Sequence, residues 1–139
     1  MKPLISKGSS YTPIVKFNYE EGTLEIKGRA VVEDPAIRFK PIEYWVLEYV
    51  TKPQKTTTLS LNMEYMNTGF VLIVEQILIK LRKIKEKGFT VIINWYYENE
   101  DEYTQELGEE LTQTTSMQMN SIGLNSEIFD KEFDWMIRK

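Results

Sequence analysis

Residues 56–97 leave this chain few ways to fold. The run "TTTLSLNMEYM" is β-branched at its start and then alternates, placing Leu59, Leu61, Met63 and Tyr65 on one face of a strand. Asn67-Thr68-Gly69 breaks the alternation, and "FVLIVEQILIKL" continues with apolar residues at helical spacing. This helix is expected over residues 68–87, with basic residues in its last turns and Gly88 as its C-cap. The run "FTVIINWYYE" then reads as a buried strand. Strand, helix and strand make one βαβ unit, so the fold class is α/β.

The flanking sequence extends that unit. "TPIVKFNYEEGTLEIKGRAV" alternates on both sides of Glu20-Glu21-Gly22 and predicts a hairpin, with Ile14 and Phe17 before the turn and Leu24 and Ile26 after it. Asp34 followed by Pro35 is the start of a short helical turn, with Asp34 as its cap. After Pro41, Ile42, Trp45, Val46, Tyr49 and Val50 form one apolar helical stripe, which Lys52-Pro53 ends. A helix with an acidic first turn is expected over 101–114, weakened by Gly108. A short edge strand follows near Met117–Ile122. In the tail, Phe129, Phe133, Met136 and Ile137 share one helical face. The expected architecture is a single domain, a mixed β-sheet flanked by helices. Residues 1–10 form a flexible arm, 11–124 the globular unit and 125–139 a C-terminal helical extension.

Composition narrows the chemistry. The chain has 139 residues, enough for one core, and no cysteine, which excludes disulfides and thiolate chemistry. It has no histidine either, so no Ser-His-Asp triad or imidazole proton shuttle can be built. A net charge of −4 argues against general nucleic-acid or anionic-membrane binding. The most apolar run, 70–81, is too short to span a bilayer and carries Glu75, Gln76 and Lys80. "MKPLISKGSSYTPIVKF" lacks the continuous apolar stretch of a secretory signal, so the expected location is the cytoplasm. The acidic run at Glu98, Glu100, Asp101 and Glu102 lacks calcium-loop spacing and reads as a solvated loop entering the next helix. Trp95, Tyr96 and Tyr97 read as packing aromatics, without the basic interleaving of a nucleic-acid site. No cofactor or metal is implied.

What remains is the junction at 67–69. A helix N-terminus carries unpaired N–H groups and a partial positive charge, which Asn67 or Thr68 can cap. Asn67 suffices for that task, which leaves Thr68 one residue further and exposed. Gly69 keeps the first turn sterically open to a partner enzyme. Strand-to-helix junctions also lie at the carboxyl ends of strands, where α/β proteins build their sites. On the helix beyond, Phe70, Ile73, Val74, Ile77, Leu81 and Ile84 form the core stripe. Leu72 and Ile79 fall on another face, read either as a second buried side or as a partner-facing ridge.

The segment "LNMEYMNTG" resembles the phosphoacceptor region of the SiaC-type regulatory phosphoproteins, which are akin to the STAS-domain anti-sigma-factor antagonists (SpoIIAA-like). There a strand ends in Tyr-x-Asn-Thr, matched here by Tyr65, Asn67 and Thr68. "GRAVVEDPAIRFKPIEYWVLEYV" resembles a second family segment through Gly28, Glu33, Phe39, Pro41 and Trp45, and "GFTVIINWYYENEDEYTQELGEEL" a third. Ala30 and Val32 stand where the family pattern has serine and proline.

The resemblance implies a STAS-like fold and a non-enzymatic switch protein with Thr68 as its phosphorylation site. A serine/threonine protein kinase would modify Thr68 and a PP2C-type phosphatase would restore it. The effector would be a diguanylate cyclase (GGDEF) in biofilm signalling. Tyr65, Asn67, Gly69, Leu72 and Ile79 are the expected partner-binding residues. Two alternatives are a small-molecule-binding sensor module and a homo-oligomerising interaction domain on the same fold.

Overall fold

The computed structural model describes residues 1–132. Its centre is the βαβ unit. Strands β3 (Thr23–Ala30), β4 (Thr56–Met66) and β5 (Thr90–Glu98) lie side by side and parallel, with Leu24 beside Leu59 and Leu59 beside Ile93. Strand β2 (Ile14–Asn18) pairs antiparallel with β3 through the hairpin, and β6 (Asn120–Leu124) adds a parallel edge beyond β5. A three-residue strand β1 (Leu4–Ser6) pairs antiparallel with β2 at the other edge. The sheet therefore has six strands in the order β1-β2-β3-β4-β5-β6. Segment 1–10 is thus not wholly a flexible arm. Three of its residues gain order from pairing with a strand ten residues away, which local composition does not reveal.

Helices α1 (Pro35–Arg38), α2 (Lys40–Tyr49), α3 (Thr68–Glu86) and α4 (Glu102–Thr115) cover one face of this sheet. The face is built from Val15, Phe17, Leu24, Ile26, Leu59, Leu61, Ile93 and Trp95, all buried. Val15 rather than Ile14 shares the inward face with Phe17, because the pleat alternates and Phe17 fixes the register. Helix α2 meets the face through Trp45, edge-on to Phe17 at 5.1 Å, and through Tyr49, whose hydroxyl is 2.7 Å from that of Thr57. Helix α3 brings Phe70, Val74, Ile77, Leu78, Leu81 and Ile84. At its far end Gly88 takes φ of +104°, the left-handed conformation that glycine adopts at low cost after a helix.

Gly108 has a packing role on α4. A Cβ there would lie 2.7 Å from Nε1 of the buried Trp95, which donates to the Thr104 carbonyl. The glycine lets helix and strand approach closely, at the propensity cost expected from sequence.

The opposite face carries polar rows such as Lys16-Glu25-Ser60-Asn94-Asn120, with Ile92 partly exposed. Helix α5 (Ser126–Glu132) packs on β5, buries Phe129, and donates from the Ser126 hydroxyl to Glu98. The expected positions of Phe133, Met136 and Ile137 lie outside the described residues. No helix among those described is long and apolar enough to cross a membrane.

Candidate functional site

The end of β4 is where sequence periodicity stops being a guide. Gly28 pairs with Met63, but Arg29 pairs with Tyr65, so Glu64 is an extra residue bulged out of the ladder. Gly28 takes φ of +123° at this point, a conformation that side chains resist. The bulge reverses the facing of everything after it. Met66 turns into the core at 4% exposure, and Tyr65 turns out at 45%. Tyr65 therefore does not share the face of Leu59, Leu61 and Met63, as strict alternation predicted. Arg29 pairs with Glu64 and lies over the Tyr65 ring at 5.9 Å, holding the phenol at the surface.

The next residue, Asn67, is a three-way joint. Its side-chain oxygen accepts from the Phe70 N–H at 3.1 Å, capping α3. Its side-chain amide donates to the Val32 carbonyl and its backbone N–H to the Ala30 carbonyl, each at 2.9 Å. The helix start is thereby fastened to the loop between β3 and α1. Such a joint satisfies buried polar groups on both sides at once.

Thr68 follows as the first helical residue. It is exposed, and its hydroxyl has no hydrogen-bond partner among the described residues. The first turn of α3 carries no acidic residue, so the partial positive charge of the helix end is uncompensated there.

Gly69 differs from its expected role. A Cβ at this position would lie 2.8 Å from the Pro35 ring, so the missing side chain makes room for α1 against α3. Phe39, at the other end of α1, meets Phe70 edge-on at 4.9 Å. Asp34 does not cap α1 through its side chain; it sits in the left-handed region at φ of +51°, and Pro35 at N1 needs no donor satisfied.

Between α1–α2 and α3 lies a groove of about 510 Å³. Phe39, Ile42, Val46, Ile73 and Ile77 form its apolar floor, and Gly69 lies at the Thr68 end. Leu72, 56% exposed, stands on its bank. Ile79 is half-buried and lies outside the groove, so the structure separates the two residues expected to form one ridge. Sequence reasoning missed the opposite wall. Asp34, Pro35 and Glu43 come to α3 only through tertiary packing, although the Asp-Pro pair was a visible signal. A second cleft of about 450 Å³ lies between α4 and the β5–β6 edge, lined by Trp95, Tyr97, Gln105, Met119 and Ser121 among others. Among the described residues no cluster of carboxylates is placed to hold a metal ion.

The model of the SiaC family regulatory phosphoproteins matches residues 6–124. The chain belongs to the SiaC family. It is 27% identical over 116 residues to an uncharacterised protein of Pseudomonas aeruginosa (strain UCBPP-PA14), covering 84% of this chain and 92% of that one. Its fold matches apo-SiaC from Pseudomonas aeruginosa with a TM-score of 0.81 at 24% identity, over 88% of this chain and 100% of that one. It also matches a chain of the crystal structure of the diguanylate cyclase SiaD with its activator SiaC from the same species. The TM-score there is 0.80 at 25% identity, over 87% and 99% of the two chains. The chain is thus a regulatory protein by family.

Proposed function

We propose that this chain is a non-enzymatic switch whose docking to a diguanylate cyclase is set by phosphorylation of Thr68. A serine/threonine kinase adds the phosphate, and a PP2C-type phosphatase removes it. The observation that carries this reading is the division of labour at the start of α3. Asn67 does the capping, which leaves the neighbouring hydroxyl exposed and unengaged. Family membership and the solved complex of SiaD with its activator SiaC support the choice of effector class.

The chemistry of the site favours a switch at the surface over a change of fold. A phosphate on Thr68 adds about −1.5 to −2 charges at neutral pH. The helix N-terminus accepts an anion without rearrangement. A partner that buries the unmodified threonine would instead have to desolvate the dianion. A penalty of about 3–4 kcal/mol, modest for an unpaired buried charge, weakens binding by two to three powers of ten.

The test is intact-mass and phosphopeptide mapping of the protein from its native cells, with partner recovery on wild type, Thr68→Ala and Thr68→Asp. The expected result is one phosphate, on Thr68, and a cyclase retained by the Ala variant and lost by the Asp variant. Identical partners for all three forms, with no phosphate under several growth conditions, would return Thr68 to a purely structural position.

A further inference from the structure

The outer face of the sheet, turned away from the core, is not evenly open to water. Register places Ile122, Tyr96, Asn62 and Lys27 in one row across β6, β5, β4 and β3. Tyr96 follows Trp95 of the core, and Asn62 lies between Leu61 and Met63, so the row belongs to the outer face. Exposure falls toward it. On β5, Ile92 is 37% exposed while Asn94 and Tyr96 are half-buried; on β4, Ser60 is half-buried and Asn62 is only 9% exposed. The Asn62 side-chain oxygen is buried and has no hydrogen-bond partner among the described residues. A polar side chain in the middle of an open sheet face keeps its end in water, so Asn62 marks a covered point.

Helix α5 is where that cover starts. The Asn125 side-chain oxygen accepts from the Ile128 N–H at 2.9 Å, and the Ser126 hydroxyl donates to Glu98 at 2.8 Å. Glu98 lies two residues beyond Tyr96 on the same face of β5 and pairs with Leu124, so α5 begins on the outer face. It packs on β5 and buries Phe129 at 6% exposure. Its seven residues, Ser126–Glu132, make only two turns, too few to hold as a helix on their own. Residues 133–139 read "FDWMIRK", and Phe133 and Met136 continue the stripe of Phe129 at i+4 and i+7. A helix over residues 126–139 would be about 21 Å long, against about 14 Å for the three strand spacings from β6 to β3.

We infer that the outer sheet face is an interaction surface whose occupant is the chain's own C-terminal segment. Residues 126–139 form one amphipathic helix seated along the row from Ile122 to Lys27, with the stripe of Phe129, Phe133 and Met136 against the sheet. Because α5 is already docked beside the row, the residues after it are held there at a high effective concentration, which favours them over a separate molecule. The family match ends at residue 124, so this contact is made by residues beyond it. Both broad faces of the sheet are then closed, and a partner reaches the outer one only by displacing the segment. The inference is independent of the Thr68 reading.

The chain has no cysteine, so introduced pairs are read without background. The test combines Asn62→Cys, in the full chain, with one of Phe133→Cys, Asp134→Cys, Met136→Cys or Arg138→Cys, and treats each pair with a short bismaleimide. Far-UV circular dichroism checks the fold of every variant. If Asn62→Cys does not fold, Ser60→Cys, two residues earlier on the same face of β4, takes its place. The expected result is a crosslink within one chain, formed at least tenfold faster with positions 133 and 136 than with 134 and 138, which fall on the other side of a helix. Equal rates at all four positions, or no crosslink at any, would show that the segment is not seated on this face and overturn the inference. A crosslink joining two chains, read from the doubled mass, would make a second copy the occupant and overturn it as well.

Discussion

Two helix starts in this molecule occupy equivalent places and have been finished differently. Helices α3 and α4 both begin where a parallel strand of the sheet ends, and both have a threonine in the first turn. At α4 the cap is Asp101, which accepts from the Thr104 N–H at 3.0 Å and also from the Thr104 hydroxyl. Thr104 is only 6% exposed. At α3 the cap is neutral Asn67, and Thr68 is exposed with its hydroxyl unengaged. The acid cap with Glu102 beside it already answers the helix charge at α4. At α3 that charge is unanswered. A hydroxyl is open to modification when another side chain has taken over the capping and has added no charge of its own.

The largest expected effect tests that contrast outright. Incubated with the proposed serine/threonine kinase, the chain should take up phosphate that Thr68→Ala abolishes and Thr104→Ala leaves in place, as read by intact mass. Label lost from Thr104→Ala and kept by Thr68→Ala would invert the comparison.

Next in size come the glycines beside the two starts. Gly108→Ala drives a Cβ into the buried Trp95 ring, and should cost about 2–3 kcal/mol. Gly69→Ala presses only on the half-buried Pro35 ring and regains up to about 1 kcal/mol of helix propensity, so its net cost should stay below about 1 kcal/mol. Urea unfolding of both variants decides the order.

Removing the joint, Asn67→Ala, takes away a cap and a tether together, and should cost about 2 kcal/mol. Asp101→Asn keeps a capping oxygen and should cost less than about 1 kcal/mol.

The smallest effect has the opposite sign. Thr68→Glu places a negative charge in a first turn that has none, and should stabilise the free chain by about 0.3–1 kcal/mol. The gain should fade when unfolding is repeated at 1 M salt. A destabilised Thr68→Glu variant would show that modification strains the fold.

Local rules made much of this readable. The start of α3, its asparagine cap and the exposed threonine depend on neighbours within three residues, so sequence reached them. The stripe Ile42, Trp45, Val46 and Tyr49 was legible because a helix repeats its geometry over every turn. Tyr65 escaped because the bulge at Glu64 is defined by the pairing with Gly28 and Arg29, thirty-five residues earlier. Leu4–Ser6 escaped because an edge strand is made by its partner. Gly108 looked like a weakness until Trp95 was seen opposite it, and the wall at Asp34, Pro35 and Glu43 required knowing how α1 and α2 fold back on α3. What sequence could not carry was contact across long separations.

The joint at Asn67 also bears on timing. With two hydrogen bonds binding Asn67 to the end of β3 and the loop after it, and a third capping α3, residue 68 has little backbone to rearrange when its side chain is altered. The proposed switch would need no slow backbone isomerisation between receiving a signal and displaying it. On the proposed reading its tempo would belong to the kinase and phosphatase and to the residence time of the partner.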